Sequence, residues 1–325
     1  MKQRQSMKTE DNIKEIHTLE DFKSLYFSDQ EGNIVCEECC TLAHQTGVGF
    51  LEIFTLENLS QLPTFTAGKQ TRKQFYTLIL ITEGRVEEVI GYTKHTFTAG
   101  DMYFIGENQL HHIQHWSEDV KGFMCLFDSD YFLLCLKHQI KLNSFPFFQF
   151  GQKPVVNLSE REVVMMEHLF WKLNNEKCQK QTFNDDLLVR MFLNIILLEA
   201  ERIYNHKKVE TPFILSRKEQ LVARFQLLVN QKIITIKQVN GYADLLHVHP
   251  HYLNDVVKEI TGYPASYFIQ KQLVDEIKSR LIQTSATVAI IAADLNFTEE
   301  SYLGRFFKKQ VGITPIQYRK KHKQH

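Results

Sequence analysis

The sequence predicts an α+β protein of two domains, an N-terminal β-barrel with trailing helices and a C-terminal all-α module. Three observations predict it. Short apolar strands separated by turn signals run from about residue 33 to 128. Helical apolar spacing takes over after residue 151. The last hundred residues contain an internal repeat of a helix pair. The length, 325 residues, suits two domains of about 150 residues each. With 43% hydrophobic and 23% charged residues the composition is globular, and 14 Gly and 7 Pro exclude a collagenous or low-complexity chain. No run approaches the roughly 18 apolar residues of a membrane span. The N-terminus (MKQRQSMKTEDNIKE) lacks the apolar core of a secretory signal, so the expected address is cytoplasmic, without membrane contact.

Residues 1–30 read as a polar tail followed by a short helix. The clearest strands are 74–82 (QFYTLILIT) and 87–95 (EEVIGYTKH), joined by a hairpin at Glu83-Gly84-Arg85. Ala99-Gly100-Asp101 turns into 102–105 (MYFI), and 122–127 (GFMCLF) follows a His-rich stretch. Helices are expected over 159–174 and 183–205. The second carries an apolar stripe of Leu187, Leu188, Met191, Ile195, Leu198 and Ile203, which either covers the barrel or pairs with a second copy. Residues 207–216, with Pro212, form the linker. The expected division is 1–206, 207–216 and 217–325, with the barrel at about 33–150 and helices at about 158–206.

Two clusters invite a metal reading. Cys36-Glu-Glu-Cys39-Cys40, with His44 nearby, supplies ligand types but reads equally well as one strand of buried thiols. His111, His112 and His115, with His95 upstream, either bind a metal or line a pocket. Neither set has the full pattern of a metal site, so no cofactor and no catalytic residue is assigned. No phosphate-binding Gly loop or nucleophile–base–orienter set is visible.

Charge is segregated. Residues 1–206 hold 20 Lys and Arg against 28 Asp and Glu, whereas 207–325 hold 18 against 10. The zero net charge therefore hides an acidic half and a basic half, the second suited to a polyanion. Within the basic half, Tyr252-Leu253 returns as Tyr302-Leu303, Lys258 as Lys308, Gly262 as Gly312 and Phe268 as Tyr318. Upstream, Ala243 matches Ala292, Leu246 matches Leu295 and Val248 matches Phe297. A small residue, a turn and a second amphipathic helix constitute a helix-turn-helix. His247 and Asn296 fall at the tight turn, where Asn tolerates a left-handed backbone. The buried faces are expected to be Leu253/Val256/Val257 and Leu303/Phe306/Phe307.

Residues 288–319 read VAIIAADLNFTEESYLGRFFKKQVGITPIQYR, which resembles the signature of the AraC/XylS family of bacterial transcription regulators. The first copy, YADLLHVHPHYLNDVVKEITGYPASYF, resembles that family's first helix-turn-helix, so the likeness covers about 221–320. Asn296 stands where many members have Gly. The resemblance implies a double helix-turn-helix joined by a long helix near 265–283, each second helix in a major groove, the grooves about 34 Å apart. Outward positions for base readout are then His251, Asn254 and Asp255 in the first unit, and Glu300, Ser301 and Arg305 in the second. Gly304 allows close approach. Asp255 departs from the family's basic or amide residue: it repels phosphate but is able to accept from cytosine N4. Glu299 and Glu300 equally suit a helix N-terminus behind a Thr298 cap. Lys258, Lys308, Lys309, Arg319, Lys320 and Lys321 are expected to add phosphate affinity.

The family commonly places a cupin-like sensor barrel ahead of this module, and residues 74–127 are similar in texture. Tyr76, Tyr92, Tyr103, His111 and Trp116 are the pocket candidates, although strand alternation turns about half of any such set outward. The implied partners are double-stranded DNA, a small-molecule effector, a second copy of the chain through the helix at about 183–205, and RNA polymerase if the protein activates. The competing reading is an enzyme: a metal cupin using the histidines, or a DNA-repair alkyl acceptor using Cys36, Cys39 and Cys40.

Overall fold

The structure, a computed structural model, describes residues 13–27, 49–62, 70–91, 93–133, 142–179, 183–207 and 216–323. Strand β1 (Lys14–Ile16) leads into helix α1 (Leu19–Tyr26), whose Thr18 and Asp21 form a capping box. β2 (Leu51–Thr55) and α2 (Leu56–Ser60) precede β3 (Thr71–Lys73) and β4 (Tyr76–Glu83). Then come β5 (Arg85–Ile90), β6 (Thr93–Thr98), β7 (Asp101–Ile105), β8 (Leu110–Trp116) and β9 (Lys121–Phe127). The strands form two five-stranded sheets, in the orders β1-β3-β8-β5-β6 and, with β10 (Val155–Asn157), β10-β7-β4-β9-β2. All pairings are antiparallel except β1 with β3.

Alternation along the strands separates two cores. On β4, Ile79 and Ile81 face the barrel interior with Val86, Phe97, Ile113 and Met124. Tyr76, Leu78 and Leu80 face outward onto a second core with α4 (Glu160–Gln179) and α5 (Phe183–His206). A short helix, α3 (Ser129–Leu133), precedes them. Because both faces of β4 are covered, its sequence is a continuous apolar run rather than an alternating one.

Four expectations are corrected. The segment 87–95 is not one strand: Gly91, at φ 64°, turns it into the β5–β6 pair. The His-rich stretch is itself a strand, β8, paired with β5 and β3. The polar N-terminal stretch contains β1, three residues whose only signal is a non-local parallel pairing. The turn expected at Glu83-Gly84-Arg85 is there but is not a hairpin: β4 and β5 belong to different sheets and do not pair, so Gly84, at φ 80°, carries the chain from one sheet to the other, and a Cβ there would lie 2.7 Å from the Val120 backbone. Residues 1–12, Cys36, Cys39, Cys40, His44, Tyr92 and 208–215 lie outside the described residues.

On α5 the buried side is Val189, Leu193, Ile196, Leu197 and Ala200. The stripe read from the sequence is largely the opposite one: Leu188, Met191, Ile195 and Leu198 are 38, 47, 39 and 37% exposed. The helix thus has two apolar faces.

The C-terminal module has its own core. It consists of α6 (Arg217–Lys232), α7 (Val239–Leu246), α8 (Pro250–Thr261), α9 (Ala265–Gln283), α10 (Val288–Asp294), α11 (Glu300–Val311) and α12 (Pro315–Lys323). α9, the connecting helix, also packs against the barrel. Lys271 pairs with Glu107 at 2.7 Å, Lys278 with Asp130 at 2.7 Å, and Tyr267 accepts from Asn108 at 3.0 Å.

Candidate nucleic-acid interface

The repeat read from the sequence is a repeat in backbone geometry. His247 at φ 54° and Asn296 at φ 51° hold the left-handed position of their turns. The next amide closes the same bond in each copy: Val248 N donates to Ala243 O at 3.0 Å, and Phe297 N to Ala292 O at 2.9 Å. Ala243 and Ala292 are buried, which lets the paired helices approach closely. Each second helix ends on a left-handed glycine, Gly262 at φ 83° and Gly312 at φ 85°. The buried faces are Leu253, Val256 and Val257 in α8, and Leu303 and Phe307 with half-buried Phe306 in α11. The two units are tied together: Lys237 donates to Asn296 O at 2.6 Å, and the Asn296 amide donates to Ile234 O at 3.3 Å.

The faces left open carry most of the predicted readers. His251, Asp255 and Lys258 are exposed on α8, as are Glu300, Ser301, Arg305, Lys308 and Lys309 on α11. The His251 ring stacks on His249 with centroids 5.4 Å apart. Ser301 donates to Glu299 at 2.9 Å. A Cβ on Gly304 would meet nothing within 4 Å, so this position is open to an approaching backbone or base. Lys320 and Lys321 are exposed at the end of α12.

Three assignments change. Asn254 is half-buried and accepts from Ala265 N at 3.1 Å, capping the connecting helix, so its oxygen is committed to the fold. Arg319 donates to Leu281 O at 3.0 Å and Ala286 O at 2.6 Å, clamping the turn between α9 and α10 rather than reaching for phosphate. The N-cap of α11 is Glu299, not Thr298, and it makes no side-chain cap bond. Glu300 is the acid of the first turn, where the helix dipole favours it.

Sequence reasoning missed Tyr252 and Tyr302, which are 50 and 53% exposed at equivalent positions of the two second helices. The repeat itself contained the signal, since both stand immediately before a buried Leu.

The predicted pocket residues divide. Tyr103, His111 and Trp116 are buried in the barrel interior, whereas Tyr76 faces outward by strand alternation. Tyr103 donates to Glu88 at 2.9 Å, and His111 lies 3.8 Å from the other Glu88 oxygen. The His111 Nε2 is 3.0 Å from Thr71 Oγ1. Lys73 is buried beside them, its ammonium 5.4 Å from the Phe22 ring centroid. Burial and the Lys73 charge push His111 down to about 4. Burial also lowers Lys73 to about 8, against the attraction of Glu88. Burial alone would raise Glu88, but His111, Lys73 and Tyr103 together hold it below its usual value. His112 is half-exposed and His115 exposed, so the three histidines do not converge. Among the described residues no three His, Cys, Asp or Glu side chains are placed to share a metal. Among them, too, no helix is long and apolar enough to cross a membrane.

A β-barrel joined to two helix-turn-helix units defines a two-domain helix-turn-helix protein. The family model for an AraC-like ligand binding domain matches residues 61–190, and that for a helix-turn-helix domain matches residues 242–321. The chain belongs to the AraC-type family. It is similar to the uncharacterized HTH-type transcriptional regulator YisR of Bacillus subtilis, 27% identical over 123 residues, 37% of this chain and 42% of that protein. It is also similar to the bifunctional transcriptional activator/DNA repair enzyme AdaA of Bacillus subtilis, 32% identical over 81 residues, 25% of this chain and 38% of that protein. The matches span less than half the length of either relative. Among solved structures, unsaturated fatty acid bound ToxT from Vibrio cholerae is 14% identical, with 86% of this chain and 97% of that chain covered at a TM-score of 0.32.

Proposed function

We propose that this chain is a ligand-responsive transcription regulator that binds double-stranded DNA, each subunit reading two successive major grooves. The observation that carries the reading is the duplicated turn: two helix pairs closed by the same left-handed residue and the same bond. Each presents an exposed second-helix face. His251, Asp255, Glu300, Ser301 and Arg305 are the base readers in this reading. Lys258, Lys308, Lys309 and Lys320 bind phosphate. Tyr252 and Tyr302 add contacts to thymine methyl groups or the sugar-phosphate backbone.

The working division is 1–206 for sensing and dimerisation, 207–216 as linker and 217–325 for DNA. The exposed Leu188/Met191/Ile195/Leu198 stripe of α5 supports a homodimer, because its spacing of three and four residues is that of a helix-pairing seam. An effector acts by binding one subunit arrangement better than another. RNA polymerase is the further partner if the protein activates. The chain is read as a non-enzyme of the cytoplasm.

Arg305 supplies the direct test. It is exposed, and changing it leaves the module's core intact. Arg305→Ala is expected to weaken specific DNA binding by about 1–3 kcal/mol and to relax preference at one base pair. Unchanged affinity and preference, measured by titration of labelled duplex, would place the reading helix elsewhere.

A further inference from the structure

The two reading helices end alike but are not held alike. Gly262 and Gly312 close α8 and α11 at nearly the same left-handed φ, 83° and 85°. A Cβ on Gly312 would meet nothing within 4 Å. The space that a Cβ would take on Gly262 is filled by the guanidinium of Arg72, from β3 of the barrel. We propose that Arg72 is a positioning residue for DNA reading: through it the barrel holds the first reading helix directly, and β3 carries the state of the barrel interior to α8. The proposal rests on the regulator reading above and names the barrel's route to the DNA-binding module.

The fit of the arginine is the first support. Arg72 is 8% exposed, and its guanidinium carbon lies 5.7 Å from the Tyr263 ring centroid. The charge is therefore enclosed between a glycine and an aromatic ring. Its Nε is buried with no hydrogen-bond partner. What the guanidinium meets instead is the carboxyl end of α8, the negative pole of the helix dipole. Burial and Glu15, the register neighbour of Arg72 on β1, push Tyr263 up to about 12, so its hydroxyl stays protonated.

The second support is what the contact leaves open. His251, Asp255 and Lys258 remain exposed on α8. The barrel grips this helix at its end and does not cover its reading face, so the contact orients the reader rather than blocking it.

The third support is the strand. Side chains alternate along β3, so the residues on either side of Arg72 point the other way, into the barrel. Thr71 Oγ1 lies 3.0 Å from His111 Nε2. Lys73 is 2% exposed, with its ammonium 5.4 Å from the Phe22 ring centroid, and Glu88 attracts its charge. A change at His111, Glu88 or Lys73 that moves β3 thus reaches α8 through one strand, with no element between.

Hydrogen exchange of the full chain tests this, because the repeat supplies its own control. Gly262 N donates to Lys258 O at 2.8 Å, and Gly312 N donates to Lys308 O at 2.9 Å. Arg72→Gln keeps most of the bulk and removes the charge. It is expected to speed exchange over 258–263 by about three- to tenfold and to leave 308–313 and β4 unchanged. Arg72→Lys, which restores the charge, is expected to recover part of the protection. Thr71→Val, isosteric and inside the barrel, is expected to give a smaller rise over the same amides. Unchanged exchange over 258–263 in Arg72→Gln, or an equal rise over 308–313, would overturn the role of Arg72. Unchanged exchange in Thr71→Val would overturn the route through β3. Selection from random duplex DNA by Arg72→Gln is expected to blur the motif that does not depend on Arg305 and to keep the one that does. Both motifs intact, or loss of the Arg305-dependent motif alone, would overturn the positioning role. The two readings fail separately. A two-motif site with no exchange effect of Arg72→Gln sinks only this proposal. An exchange effect confined to 258–263, with no site enriched by the unaltered chain, sinks the regulator reading and leaves a contact between barrel and helix that has no reading role.

Discussion

Arg305 and Arg319 are both arginines of the second helix-turn-helix region, yet they do opposite work. Arg305 is exposed and free of any protein acceptor among the described residues. Arg319 spends its guanidinium on two carbonyls of the preceding turn. Arg319→Ala should therefore cost stability, roughly 1.5–3 kcal/mol per lost charged bond, read by denaturant unfolding. Arg305→Ala should leave the unfolding curve in place. A stability loss for Arg305→Ala with none for Arg319→Ala would invert the assignment. Sequence spacing could not separate them, because both are basic residues on outward positions; only the path of the α9–α10 turn does. His111 is a second residue-scale case. It is neutral in the barrel, with its folded value about 4 against the ordinary 6.5. Between those values the unfolded chain binds more protons, so stability falls as pH drops from 6.5 toward 4, by on the order of 3 kcal/mol. Unfolding at pH 7, 5.5 and 4.5 tests this against His111→Gln, whose curve should be flatter over that window. Parallel curves would mean that His111 does not carry the dependence.

At the scale of elements, the helix pairs were legible because their constraints are local. The left-handed turns at His247 and Asn296 and the buried Ala243 and Ala292 stand where residue spacing put them, and the connecting helix Ala265–Gln283 stands where the family resemblance implied it. The barrel was less legible. β4 and β9 are covered on both faces, which removes the alternation that reveals a strand's inward side. The sequence therefore could not say that Tyr76 looks out while Tyr103 looks in. The α5 stripe was read correctly as apolar, but its destination depends on a second stripe that packs on β4 and β9. Gly304 gives the element-scale prediction. Alanine there meets no atom and is a better helix former, so Gly304→Ala should stabilise the fold by roughly 0.5–1 kcal/mol. Its DNA affinity should fall, because the added methyl sits where the DNA approaches. Equal or tighter DNA binding, measured by the same duplex titration, would mean that this face of α11 is not against DNA.

At the scale of the molecule, the two halves meet mainly along α9, with further contacts from Tyr318 of α12, which donates to Asp130 at 3.4 Å, and from Tyr263, whose ring centroid lies 5.7 Å from the Arg72 guanidinium. α9 spaces the helix-turn-helix units and carries Tyr267, Lys271 and Lys278 onto the barrel. A change in how the barrel sits is thereby felt by the element that sets the distance between the two reading helices. The second interface is the open face of α5. Met191→Lys combined with Ile195→Lys, both exposed and so neutral to folding, should convert a dimer to a monomer in sedimentation and weaken DNA binding. An unchanged oligomeric state would move the contact to another surface. The acidic and basic halves were legible from charge alone, whereas the seat of Arg72 on α8 was not, because it joins a strand and a helix far apart in sequence.

The central claim is that one subunit reads two grooves. Selection from a pool of random duplex DNA by the full-length protein at physiological salt, followed by sequencing, tests it most directly. An enriched site with two motifs one helical turn apart is expected, the second depending on Arg305. Binding that is only salt-sensitive, with no enriched sequence, would contradict it.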